Sequence, residues 1–292
     1  MTDELDEAHI SETFPDLSLW QERLRASRVE IPGTTNTRDL GGLPVAGEGV
    51  VRPGAVLRGE ALAHPGPSVR RVAEWSDAAI ESYRALGLRT VIDLRAAEEA
   101  ALAPSAWAEP TGARLVAEPI DEGGEGDATD YMRRLRVGEL RSFGPAELAD
   151  YYVRTVRARA PRFGRALRVL AEPGATPALI HCAAGKDRTG MLVALLLEVL
   201  GVDRDATVAD YSMTSIFRPN RVEAYADVLA SAGVDASAVS ALFESPAETM
   251  RLMLEGLDAE HGSVREFLRR EAGVGDDVVD RLRAALVAPV SG

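Results

Sequence analysis

The chain has 292 residues, 46% of them hydrophobic and 27% charged, with a formal net charge of −13. That composition is globular and long enough to bury a core, and its acidity argues against a duplex nucleic-acid partner, which calls for a net basic face. A single cysteine, Cys182, excludes an internal disulfide and CxxC metal sites, and His9, His64, His181 and His261 show no metal-ligand spacing, so neither metal nor cofactor is expected.

Residues 1–30 read as an acidic lead-in that ends in a short amphipathic helix over Leu17–Arg28, with 31–292 as the working domain. The first residues carry no apolar core of a secretory signal, which makes the cytoplasm the default location. The longest apolar run, Met191–Leu197, is too short to cross a bilayer. IPGTTNTRDLGGLP predicts a strand and turns, and VVRPGAVLRGEAL a strand with a tight Pro-Gly turn. Ser76 is placed to cap the helix DAAIESYRAL, and Gly87 to stop it. LRTVIDLR reads as a buried strand and 113–120 as another.

The acidic, Gly-rich stretch 121–130 and the arginine-rich stretch Tyr131–Ser142 together read as an insertion, 121–142, with two equal readings: a lid or a solvated surface helix. A helix over Pro145–Leu170, the strand PALIHC and an apolar helix follow, and the chain from Asp203 onward is helical by pattern, with breaks near Pro219, Gly233, Pro246 and Gly273. Strands alternating with helices predict an α/β fold, a central mostly parallel sheet flanked by helices, with a helical C-terminal part.

The chemistry is concentrated in ALIHCAAGKDRTGMLVALLLEVLG, from Ala178. An apolar strand here delivers a loop to the carboxyl edge of a sheet, where open α/β folds bind ligands. Small residues Ala183, Ala184 and Gly185 let backbone N–H groups converge, and the following helix adds its positive end, so that 183–188 form an anion cradle. A thiol in such a setting ionises more readily, which suits Cys182 to attack on phosphorus. Arg188 offers a planar fork for two phosphoryl oxygens and for the charge of the transition state. Thr189 can donate its hydroxyl to the sulfur, and Asp187 lies inside the cradle. A merely structural buried cysteine is the bland alternative.

HCAAGKDRTG fits HCx5R[ST], the phosphate loop of cysteine-dependent protein tyrosine phosphatases. It resembles the form found in the bacterial tyrosine and phosphoinositide phosphatase family typified by mycobacterial protein tyrosine phosphatase B. NTRDLGG (36–42), VIDLR (91–95), VADY (208–211) and HGSVREFLRREAGV resemble further pieces of that family in the same order. The resemblance implies the tyrosine phosphatase fold and hydrolysis of phosphoproteins, phosphoinositides or both through a cysteinyl-phosphate intermediate. It points to Asp93 as general acid, with Asp121, at the start of a loop, as the alternative. Lys186, the only lysine in the chain, is expected at the pocket rim to hold a second phosphate. His181 is expected to order the loop from behind, and Arg38 and Asp39 to brace it. Members of that family can also leave the cell without a cleavable signal.

Two rivals stand beside this reading. One is a phosphate-binding module without turnover. The other is a different user of a Cys anion loop, such as a rhodanese-like sulfurtransferase or an arsenate reductase, although the latter needs resolving cysteines that this chain lacks. The oligomeric state is left open by the sequence.

Overall fold

The structure is a computed structural model that describes residues 15–47, 49–63, 73, 75–121, 131–218, 222 and 225–289. Its centre is a five-stranded sheet in the order β1-β4-β7-β5-β6. Four strands run parallel: β4 (Val56–Gly59), β7 (Ala178–His181), β5 (Thr90–Asp93) and β6 (Arg114–Ala117). Only β1 (Arg38–Asp39) is antiparallel, on β4. The mostly parallel α/β fold expected from the sequence is therefore the one observed.

Both faces of the sheet are covered, as a parallel sheet requires. Strand residues alternate between two cores. Val56, Ile92 and Ile180 enter the larger one, and Leu57, Val91 and Leu179 the smaller one. The smaller layer holds α2 (Asp77–Ala85), capped by Ser76, and the one-turn α4 (Ala108–Thr111), with Tyr83 set edge-on to Trp107. Between them in the chain, α3 (Ala97–Leu102) follows β5.

The larger layer is built on α8 (Asp187–Leu200), whose residues are buried on nearly every side, as its apolar sequence demands. Around it lie α6 (Pro145–Ala158), α7 (Ala160–Leu170), α9 (Arg204–Phe217), α11 (Ala247–His261), α12 (Val264–Glu271) and α13 (Asp276–Leu286). The lead-in helix α1 (Pro15–Arg25) packs on α9 through Leu17 and Leu24.

Two features differ from the sequence expectation. The helix expected over 145–170 is two helices, because Pro161 offers no N–H and the chain turns at Arg159 before it. A second sheet joins β2 (Pro44–Val45), β3 (Gly49–Val51) and β8 (Val287–Ala288) in antiparallel pairs. The strand β8 follows α13 directly and is too short to carry a period-2 signal. Of the insertion 121–142, residues 122–130 lie outside the described residues. In the rest, with α5 (Tyr131–Arg136), Leu135 and Leu140 are buried, and Tyr131 packs on Phe143 and Tyr151. Beyond α9 come α10 (Ala226–Ser231) and a 3-10 turn over Ser237–Leu242.

Candidate active site

Register sets the site. His181, the last residue of β7, is paired on one side with Gly59 and on the other with Asp93. The loop 182–186 leaves the middle of the sheet at its carboxyl edge, and α8 begins at Asp187, so Arg188 and Thr189 occupy its first turn. Cys182 is 2% exposed. Gly185 sits at φ 69°, and a Cβ there would lie 2.4 Å from the Gly59 carbonyl oxygen, so only glycine fits.

A buried polar network holds the loop from behind. Asn36 Nδ2 donates to the carbonyls of Ala184 (3.2 Å) and Gly185 (3.4 Å), and Arg58 Nη2 donates to Gly185 at 2.7 Å. Arg38 orients Asn36 by donating to its Oδ1, and donates to Asp210 Oδ1 at 2.8 Å. Asp210 also pairs with Arg58. Burial works to raise the Asp210 carboxyl, yet the charges of Arg38 and Arg58 hold it below its ordinary value. Burial, and then the Arg58 charge, bring the Arg38 guanidinium down to about 10, which leaves it charged at neutral pH. Arg38 thus braces the loop through Asn36. Asp39 does not reach it, since its carboxylate caps the N–H groups of Gly41 (2.9 Å) and Gly54 (2.7 Å). Asn36, Arg58 and Asp210 are supports that sequence reasoning did not name, although Asn36 and Asp210 lie inside the NTRDLGG and VADY segments.

Arg188 is engaged. Its two Nη atoms grip Glu99 of α3 in a fork, with Nη2 3.1 Å from Oε1. Burial pushes the Glu99 carboxyl up, but the hydrogen bonds and charge of Arg188 outweigh that and keep it below its ordinary value. Glu99 lies in AAEEAAL (96–102), a segment with no local sign that it reaches Arg188. His181 accepts or donates at both ring nitrogens, with Nδ1 3.1 Å from the Cys182 carbonyl and Nε2 3.2 Å from Ser105 Oγ. Burial lowers its pKa more than the nearby Asp93 carboxylate raises it, so the ring is neutral at pH 7.

The other expected residues fall differently. Asp93 is nearly buried, and Arg95 clamps both of its oxygens at 2.6–3.1 Å. Burial would raise its carboxyl, but His181 and Arg95 keep it below its ordinary value. Such a carboxylate is anionic and fully occupied, which is poor equipment for a proton donor. Asp121 is exposed, four residues beyond the end of β6. Lys186 is not at the rim: it is 3% exposed and its Nζ donates to the carbonyls of Ala241 (3.0 Å) and Leu242 (3.1 Å), the end of the 3-10 turn. These carbonyls satisfy donors that burial would otherwise leave without partners. Thr189 Oγ1 is buried with no hydrogen-bond partner among the described residues, so the expected bond to sulfur is not made.

Asp187 remains the partly open carboxylate of the loop, its side chain 29% exposed. Tyr152 Oη donates to its Oδ1 at 2.5 Å, and Lys186 Nζ lies 3.3 Å from the same oxygen.

Comparison with known proteins identifies the family. The sequence profile of the tyrosine phosphatase family matches residues 29–288. The chain is 27% identical over 287 residues to the triple specificity protein phosphatase PtpB of Mycobacterium tuberculosis, covering 88% of this chain and 98% of that protein. It is 30% identical over 237 residues to a protein of Cupriavidus necator provisionally named a tyrosine-protein phosphatase, covering 80% of each. The chain belongs to the tyrosine phosphatase family, the cysteine-dependent hydrolases of phosphoric monoesters.

Proposed function

We propose that the chain hydrolyses phosphotyrosyl and related phosphoprotein monoesters through a phosphocysteine intermediate. The Cys182 sulfur attacks phosphorus as the bond to the leaving oxygen breaks. Arg188 turns from Glu99 to grip two phosphoryl oxygens, and the N–H groups of 183–188 cradle the rest. Asp187 gives its proton to the departing oxygen. In the second step its carboxylate takes a proton from water, the water oxygen bonds to phosphorus, and the P–S bond breaks to return the thiolate. Asp93 then serves to hold His181 and Arg95 at the sheet edge.

The observation that carries this reading is the braced loop itself, with Cys182 at its start and Arg188 in the first turn of α8. The engagement of Lys186 by two carbonyls speaks against its holding a second phosphate, so a bis-phosphorylated inositide gains nothing from it over a monophosphorylated ester. Turnover of para-nitrophenyl phosphate in EDTA, lost in Cys182→Ser, is the expected result. A variant that retains wild-type turnover without this sulfur would end the proposal. Thiosulfate sulfurtransfer without phosphatase turnover would favour the rival.

A further inference from the structure

Two buried phenols converge on the proposed proton donor, one from α6 and one from α9. Tyr152 on α6 donates to Asp187 Oδ1 at 2.5 Å, and Tyr211 on α9 lies 2.9 Å from the Tyr152 oxygen. Tyr152 has one proton, and it goes to the carboxylate, so Tyr211 donates to Tyr152. The direction of the chain is Tyr211 to Tyr152 to Asp187. Both rings are buried, set edge-on to one another with centroids 6.1 Å apart, and Tyr151 packs against Tyr152 from the side. Gly190 makes the approach possible, because a Cβ there would lie 2.9 Å from the Tyr211 ring.

The contacts also distinguish the two oxygens of Asp187. Among the described residues, both Tyr152 and Lys186 meet Oδ1, and Oδ2 has no bond. One oxygen is anchored and the other is left to the substrate. Burial, then the Asp187 charge, push the Tyr152 phenol well above its ordinary value, so it keeps its proton and remains a donor throughout the working pH range.

We infer that Tyr152, supported by Tyr211, is a positioning residue for the reaction: it pins one oxygen of Asp187 so that the other presents its proton to the leaving group. This deepens the proposed role of Asp187 and rests on it. A positioning role has a kinetic mark that a packing role lacks. Proton delivery matters for a poor leaving group and hardly at all for a good one.

The test measures kcat/KM for phenyl phosphate and 2,4-dinitrophenyl phosphate on folded protein, with melting temperature as control. Asp187→Asn should lose roughly a hundredfold on phenyl phosphate and far less on the dinitrophenyl ester. Tyr152→Phe should lose about tenfold on phenyl phosphate, the order of one hydrogen bond to a charged group, with little loss on the dinitrophenyl ester. The double variant should be no worse than Asp187→Asn alone. Equal losses on both esters in Asp187→Asn would sink the acid role and this inference together. A leaving-group-dependent Asp187→Asn beside a Tyr152→Phe that is unaffected, or affected equally on both esters, overturns this inference alone. If Tyr152→Phe does not fold, Tyr211→Phe decides: a smaller loss confined to phenyl phosphate supports the chain, and wild-type rates on both esters refute it.

Discussion

Substitution of Glu99 by Gln tests whether this carboxylate competes with substrate for Arg188. Both Nη atoms of the guanidinium are taken by Glu99, whose Oε2 also accepts from the Ala96 N–H at 2.8 Å. A phosphoryl group that uses the same fork must first displace it. The pair is lopsided, with Arg188 8% exposed and Glu99 38% exposed. Solvent on the Glu99 side screens the attraction, which brings it to the upper end of the surface range, about 1 kcal/mol. Glu99→Gln should therefore tighten competitive inhibition by inorganic phosphate about fivefold. The pH dependence has a definite sign. Glu99 lies below its ordinary value in the folded chain, so the competitor persists from pH 7 to pH 5 and the advantage of the variant is constant there. At more acid pH the wild-type carboxyl takes up a proton and the two proteins converge. Inhibition constants for phosphate against para-nitrophenyl phosphate, at pH 7 and pH 5, supply the measurement. Unchanged or weaker phosphate binding in the variant would refute competition and make Glu99 a holder of Arg188 instead.

Two further outcomes are expected. Asp210→Asn leaves Arg38 and Arg58 buried without their countercharge and should cost about 3 kcal/mol of unfolding free energy by urea titration. Because the Asp210 pKa is lowered on folding, that stabilisation is full above the ordinary carboxylate range, about 4, and is lost as pH falls through the lower folded value. The variant should therefore show a shallower acid loss than the wild type, and parallel acid curves would count against it. Lys186→Ala strips the donor from the Ala241 and Leu242 carbonyls and should destabilise by about 1–3 kcal/mol. Its ratio of turnover on mono- and bis-phosphorylated inositides should stay at the wild-type value, and a selective loss on the bis-phosphate would return Lys186 to the rim.

The strand, loop and helix around Cys182 were legible because they are continuous: an apolar strand, three small residues and an apolar helix leave one arrangement. The alternation of strands and helices likewise fixed a mostly parallel sheet. What escaped is held by residues far apart in the chain. Lys186 reads as a free cation until the carbonyls of 241 and 242 are brought to it. Asp93 is the local exception: it reads as a strand-end acid, with an ion pair to Arg95 two residues on as the alternative, and the fold makes that pair. Tyr152 and Tyr211 carry a helical spacing that is equally that of plain core, and only the meeting of α6 with α9 turns their hydroxyls toward Asp187. Arg58 gave no signal at all, since an arginine in a strand beside a glycine has no local reason to be buried.

The burial of Lys186 leaves the folded protein without a surface lysine. Amine-reactive crosslinkers and dyes will therefore find no exposed lysine, and immobilisation through lysine will fail. The same scarcity makes a clean reporter: acylation of this one ammonium requires its bonds to the Ala241 and Leu242 carbonyls to break, so its labelling rate in a mass spectrum follows the parting of those contacts.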